Sequence, residues 1–393
     1  MTFVQRLLGL RQQGSPARGC RLLQAALLTV SVTAACAHGG LQSEPPPAEG
    51  GEAFTPRILE KWERQMVERG REAGQHLATT EDHDKRLYAQ YYDAQWIFLR
   101  IADYTGEREP WLHYATLAED TYKQYLKEND YNVAGYKKFP HGFYVDWKRY
   151  GDQESKQYLI EMSENAVYQN PMRGIAEGWF KQQRSREVAY AIQTYVLVDK
   201  MDAEFEYARL ERLVNMALKH VEIWTTGNYL HSDPERRHLK PFMAGLTASA
   251  LISYYEHTAA QGNPDERVPA ALERLADRLW EDTWVANVDG TGYGAFKYMT
   301  PQIEAVGSDD PAPDLNMLIA PMYGWLYQHT GDEEYRRRGD AIFAGGVELA
   351  YLGSGKQFNQ HYRSSFDYLM WRQAGRAHTK SDDRIGPAVA RVR

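Results

Sequence analysis

Cysteine is nearly absent. The chain of 393 residues holds two, Cys20 and Cys36, both close to the N-terminus. Everything after them can form no disulfide, no thiolate metal site and no thiol nucleophile. No HExxH pattern and no EF-hand spacing occurs, so neither a metal nor another cofactor is expected. Residues 1–35 lack Asp and Glu, leaving Arg6, Arg11, Arg18 and Arg21 unopposed. Long apolar runs are missing too: the stretch from Leu22 to Ala35 falls short of the roughly 20 apolar residues that cross a bilayer. Strand-type alternation is short or absent, and no second linker interrupts the chain after residue 53. Two large domains and an all-β fold are thereby disfavoured.

What stands in the leader is a basic segment, a short apolar run and small residues, the layout of a secretory signal. Thr33-Ala34-Ala35-Cys36 resembles the lipobox of bacterial lipoproteins, which implies lipidation at Cys36 and attachment to a membrane through that lipid. The expected division is a signal at 1–35, a flexible tether at 36–53 rich in Pro, Gly and Glu, a single domain at 54–378 and a disordered tail at 379–393. The expected location is outside the cytoplasm, in the periplasm or on the outer membrane or cell surface. Losing the leader moves the net charge from -7 to about -11, a balance that argues against nucleic acid as a partner.

Helical spacing dominates the rest. Trp111, Ala115, Ala118, Tyr122 and Tyr125 form one i, i+3, i+4 stripe; Leu210, Leu213, Val214, Ala217, Val221 and Trp224 form another. Stop and start signals predict about twelve helices, near 57–79, 83–104, 108–128, 140–150, 154–168, 184–200, 203–225, 241–258, 265–283, 313–329, 332–350 and 357–373. Short links carrying Gly with an acid, such as Thr105-Gly106-Glu107 and Thr330-Gly331-Asp332, alternate with long ones at 129–140, 169–183, 226–240 and 284–312. Glycine accepts the left-handed conformation that ends a helix, and the acid suits the start of the next. Segments after short links are amphipathic. Those after long links, such as Pro241–Ile252 and Leu315–Leu326, are apolar nearly all round, as buried helices are. Six outer-then-inner pairs make an all-α (α/α)6 toroid, with an open α-solenoid as the alternative.

The repeated hairpin with its Thr-Gly-Asp link at 330–332 resembles the six-hairpin toroid glycosidases and polysaccharide lyases, and is similar to the catalytic domain of glucuronyl C5-epimerases. The resemblance lies in architecture and covers nearly all of the mature chain. It implies a polysaccharide substrate, and no catalytic motif of those families maps onto these residues.

Candidate site residues come from the long links. The chain has 27 Tyr and 10 Trp, many of them interleaved with glycine and charge, as sugar stacking requires. Tyr136, Lys138, Trp179, Arg186, Arg237, His238, Lys240, Tyr298, Gln357 and Asn359 are candidate substrate-binding residues, and the basic members would attract an anionic glycan. Hydrolysis needs two carboxylates across the scissile bond; Glu177 and Asp314 are the leading pair, with Asp93, Asp146 and Asp367 in reserve. Elimination or C5-epimerisation needs a base beside a neutralised uronate, and His231, His238, Tyr293 and Tyr362 are candidates. Glycoside hydrolysis leads, followed by a uronate lyase or epimerase. A non-catalytic lipoprotein that binds glycan or organises the envelope is a further reading.

Overall fold

A computed structural model describes residues 53–168, 182–227, 238–302, 307–353 and 355–379. The chain divides into two compact units, Met1–Pro45 and Pro46–Arg393, and all described residues belong to the second.

That unit is all-α apart from one two-stranded antiparallel sheet. Its helices are α1 (Pro56–Thr79), α2 (His83–Ala89), α3 (Ala94–Thr105), α4 (Trp111–Glu128), α5 (His141–Tyr150), α6 (Gln153–Asn165), α7 (Ser185–Asp199), α8 (Tyr207–Thr226), α9 (Pro241–Ala260), α10 (Arg267–Thr283), α11 (Ala320–Thr330), α12 (Glu333–Leu349) and α13 (Gly355–Thr379). The strands β1 (Trp284–Val285) and β2 (Ala295–Phe296) pair within the long link after α10.

Caps set the boundaries. Gly106, Gly151 and Gly331 follow α3, α5 and α11 with φ of 71°, 68° and 73°, and each amide returns to a carbonyl of the last turn. Asp152 and Asp332 then cap α6 and α12 with their side chains. Two expected helices are broken. The expected helix at 83–104 divides at Tyr92 and Asp93, whose φ values of 76° and 73° are left-handed. The expected helix at 313–329 begins as a 3-10 turn, Pro313–Leu318, before α11. There Gly245 of α9 lies against the Leu318 carbonyl, where a Cβ would collide.

Burial follows two patterns. α1, α8, α10 and α12 bury one stripe, whereas α7, α9 and α11 are enclosed on nearly every side. Among the enclosed helices and their neighbours, α3 packs on α5 and α13, α9 on α7 and α11, and α11 on α13. These neighbours are parallel, because residues at matching ends meet: Arg149 with Asp103, His257 with Asp199, and Trp325 with Glu256. The ends of the chain also meet, α1 lying on α12 and α13. Trp62 is the centre of that seam. Its indole donates to Ser365 Oγ at 3.0 Å, its carbonyl accepts from Tyr362 at 2.8 Å, and its ring sits among Tyr104, Phe343 and Phe366.

Between α3, α4, α5 and α6 lies a buried acid pair. Asp146 hydrogen-bonds Glu119 and accepts from Gln95, while Lys123 and Ser155 hold Glu119. Burial, then Glu119 and Asp152, push the Asp146 carboxyl up to about 7. Its proton is bound more tightly in the folded chain than in the unfolded one, so stability falls as pH rises from about 4 to about 7 and is level above. Asp146→Asn should remove that fall, which is worth at most about 1.4 kcal/mol per pH unit. Urea melts of both proteins at pH 5 and pH 8 check it; an unchanged pH dependence in the variant would sink the assignment.

Candidate functional site

Three of the enclosed helices begin with a cation. Arg186 is the second residue of α7, Lys240 precedes α9, and Lys356 is the second residue of α13. A cation at a helix N-terminus opposes the dipole and costs about 0.3–1 kcal/mol, so local stability does not account for the pattern. Each cation lies over a tyrosine: Arg186 over Tyr136 at 5.2 Å, Lys240 over Tyr298 at 5.1 Å, and Lys356 over Tyr88 and Tyr91, both at 5.6 Å. Burial lowers the pKa of Lys240 and of Lys356, and the Arg186 charge lowers both further. The three charges therefore share one field.

Arg186 and Lys356 border a mouth of about 530 Å³, lined also by Tyr88, Tyr91, Tyr136 and Phe139 among others, and Lys240 stands outside that lining within reach of the Arg186 charge. Polar atoms without partners gather on the first turns of α7, around Arg186 and behind the lining of the mouth. The Tyr190 hydroxyl, Glu187 Oε2, Arg186 Nε and Ser185 Oγ are buried and unbonded, although Glu187 Oε1 accepts from Arg186 at 3.0 Å. Each such atom costs about 1–3 kcal/mol when nothing meets it. Tyr190 is 2 % exposed and Glu187 is 5 % exposed. Burial raises the Tyr190 pKa and holds the phenol protonated.

A second cavity of about 380 Å³ lies among α3, α5, α7, α9, α11 and α13 and shares no lining residue with the mouth. Its walls include Trp96, His141, Gln193, Ser253, Glu256 and Arg363. The polar content separates it from an aliphatic core. His141 stacks on Trp96 with centroids 4.2 Å apart. Burial lowers the His141 pKa, with Asp93 opposing and Arg363 adding to the shift. Asp93 holds this corner by accepting from the amides of Trp96 at 3.4 Å and His141 at 2.8 Å, joining the N-termini of α3 and α5.

No family model, curated protein or solved structure matches this chain.

The site is accordingly read from its own residues. Of the sequence candidates, Tyr136 and Arg186 line the mouth, while Lys240 and Tyr298 pair with each other outside its lining, in the field of Arg186. Lys138 lies beneath it, 1 % exposed, with its amine on the Val167 carbonyl at 3.0 Å; burial lowers its pKa to about 7. Asn359 donates to the carbonyls of Ala89 and Tyr91, both at 2.9 Å, and shapes the mouth from below. Gln357 is half-buried in the first turn of α13, and His238 is buried beside the bridge between Leu239 and Thr300. Asp314 accepts from the Tyr351 amide at 2.7 Å and ties down the link between α12 and α13. Tyr293 takes a bond from Arg57 of α1 at 2.6 Å, and Tyr362 donates to Trp62. Neither tyrosine lines the mouth or the second cavity. Asp367 lines the second cavity and is paired with Arg100 at 2.6 Å. Glu177, Trp179, His231, Arg237 and Cys36 lie outside the described residues. Among the described residues no cluster of His, Cys, Asp or Glu is arranged to hold a metal, and no helix is long and apolar enough to cross a membrane.

Sequence reasoning missed Tyr190 and Glu187 as site residues, whereas Arg363 stood out beside Asn359 and Tyr362 within one helical turn. Tyr190 and Glu187 lie in Glu187-Val188-Ala189-Tyr190-Ala191, where an apolar pattern reads as core; the one usable signal was a charge embedded in that pattern.

Asp93→Ala should destabilise the fold by about 1–3 kcal/mol, since two buried amides lose their acceptor and a left-handed residue loses a tolerant side chain. Asp93→Asn, which keeps an acceptor and tolerates that conformation, should cost less. Denaturant melts of the pair check the order, and equal losses would refute the shared-cap account.

Proposed function

We propose that this chain acts on an anionic polysaccharide held at the mouth, and that it does so by removing a proton beside a uronate carboxylate. The observation that carries the reading is the set of three cation–tyrosine pairs at helix N-termini, with the unbonded Tyr190 hydroxyl and Glu187 Oε2 on the first turns of α7 behind them. Arg186, Lys240 and Lys356 neutralise the carboxylate and so acidify the adjacent C–H, while the tyrosine faces stack on sugar rings. Glu187 Oε2 takes the C5 proton, the C4–O4 bond breaks, and its departing oxygen takes the Tyr190 proton as C4=C5 forms. Both side chains then exchange protons with water. Reprotonation of C5 without bond cleavage would instead epimerise the sugar.

Hydrolysis is the second reading, favoured by Asp84, which lines the same mouth and would supply a carboxylate opposite Glu187. The closed ring of six hairpins belongs to this proposal as well. The meeting of α1 with α12, the contact of α13 with α3 and a cavity lined by six parallel helices support a toroid over an open solenoid. Export and a lipid on Cys36 complete the picture, resting on the leader and on the resemblance to a lipobox.

Incubation with a panel of polyuronates and neutral glycans tests the chemistry. Uronate chains should yield products with a new ultraviolet absorbance. Tyr190→Phe and Glu187→Gln should each slow the reaction about 10²–10⁴-fold. Reducing ends without absorbance, lost in Asp84→Asn, would replace elimination by hydrolysis. Binding without product would make the protein a glycan receptor, and binding to neutral chains alone would remove the reading. The anchor has its own test: labelled palmitate should enter the wild-type protein expressed in a lipoprotein-processing bacterium and not Cys36→Ala, and equal labelling would exclude that cysteine.

A further inference from the structure

Two arginines of α13 are equally enclosed and differently served. Arg372 is 3 % exposed and is held by Asp340 through bonds of 2.5 and 3.0 Å, with Arg336 and Tyr368 completing the cluster. Arg363 is 4 % exposed, and among the described residues no carboxylate lies within ion-pair distance of it. Its guanidinium donates instead to the neutral amide oxygen of Gln193 at 2.9 Å, across the cavity from α13 to α7. The rings of Tyr190 and Trp96 lie 5.3 and 6.0 Å from the guanidinium. Asp367, one turn on, is already taken by Arg100.

A buried cation without a counter-charge is among the most unfavourable arrangements in a protein interior. Guanidinium offers a planar fork suited to a carboxylate, and Arg363 lines the 380 Å³ cavity. The rest of the wall is suited to a hydroxylated molecule: Ser249, Ser253 and Ser364 supply hydroxyls, Glu256 an acceptor, and Trp371 an indole. Met370, 49 % exposed, lies on the cavity wall towards the C-terminal half of α13, opposite the end that carries the mouth.

We infer that this cavity is a second binding site, separate from the mouth, for a small hydroxylated carboxylate of monosaccharide size whose carboxylate docks on Arg363. The inference is independent of the chemistry proposed at the mouth, and its assay contains no polysaccharide.

Titration calorimetry of the full chain with glucuronate and gluconate is the test, with glucuronamide and glucose as neutral counterparts. Both acids should bind, and the two neutral compounds should bind at least tenfold more weakly. Arg363→Lys, which keeps the charge and loses the fork, should weaken glucuronate at least tenfold. Failure of both acids to bind at millimolar concentration would overturn the proposal. So would glucuronamide binding as well as glucuronate, a comparison that needs no variant.

Discussion

The parallel alignment of the enclosed helices is the constraint on which the rest depends. Neighbours that ran antiparallel would cancel their dipoles. Here the partial positive ends gather where the long links enter, and the partial negative ends gather where the short glycine links leave. Electrostatics then differ between the two ends before any side chain is counted. At the positive end the chain adds Arg186, Lys240 and Lys356, which deepens the field instead of balancing it. Tyrosine faces beneath those charges offset part of the cost, at about 0.5–2 kcal/mol for a cation over a ring. The sum still favours an anion.

Alignment of this kind survives only if the first and last helices are fixed to each other. Trp62 does this through a fully buried ring, an indole bond to Ser365 and a carbonyl bond from Tyr362. Asp340 and Arg372 pin α12 to α13 nearby. The Trp62 contacts link residues about 300 positions apart and the Asp340–Arg372 contact spans 32. The helices near the seam bring the N-termini of α3 and α13 to one level, where Asn359 of α13 reaches the carbonyls of Ala89 and Tyr91. The mouth therefore depends on the contacts between the first and last helices as much as on its own residues.

Periodicity and link chemistry made the helices legible: Gly106, Gly151 and Gly331 mark ends that the structure places within a residue or two of expectation. The break at Tyr92 and Asp93 was hidden, because neither residue is a glycine and the flanking apolar pattern continues. The cations and tyrosines at and beside the mouth stood out as charge and aromatics interleaved in long links, so Tyr136, Arg186, Lys240 and Tyr298 could be named. Asp314 looked similar in sequence, yet its carboxylate serves the Tyr351 amide. An acid at the start of a helix can cap or catalyse, and local sequence does not distinguish the two. Tyr190 was illegible for the opposite reason: a helix interior rich in apolar residues suggests packing, and the missing partner is visible only in three dimensions.

Unmet polarity is the thread that joins the two cavities. Natural interiors satisfy nearly all buried donors and acceptors, and this chain does so where structure alone is at stake, as at Asp93 and Asp340. It leaves Tyr190, Glu187 and Arg363 without full partners along α7 and α13, on either side of one short stretch of the interior. Tyr190 feels both groups of charges, Arg186 and Glu187 at the mouth and Asp93 and Arg363 deeper in. A change of charge in one cavity is thereby felt in the other through a single phenol. Occupation of the deep cavity by an anion would screen Arg363 and raise the cost of ionising Tyr190, and so would slow the proton donation proposed at the mouth.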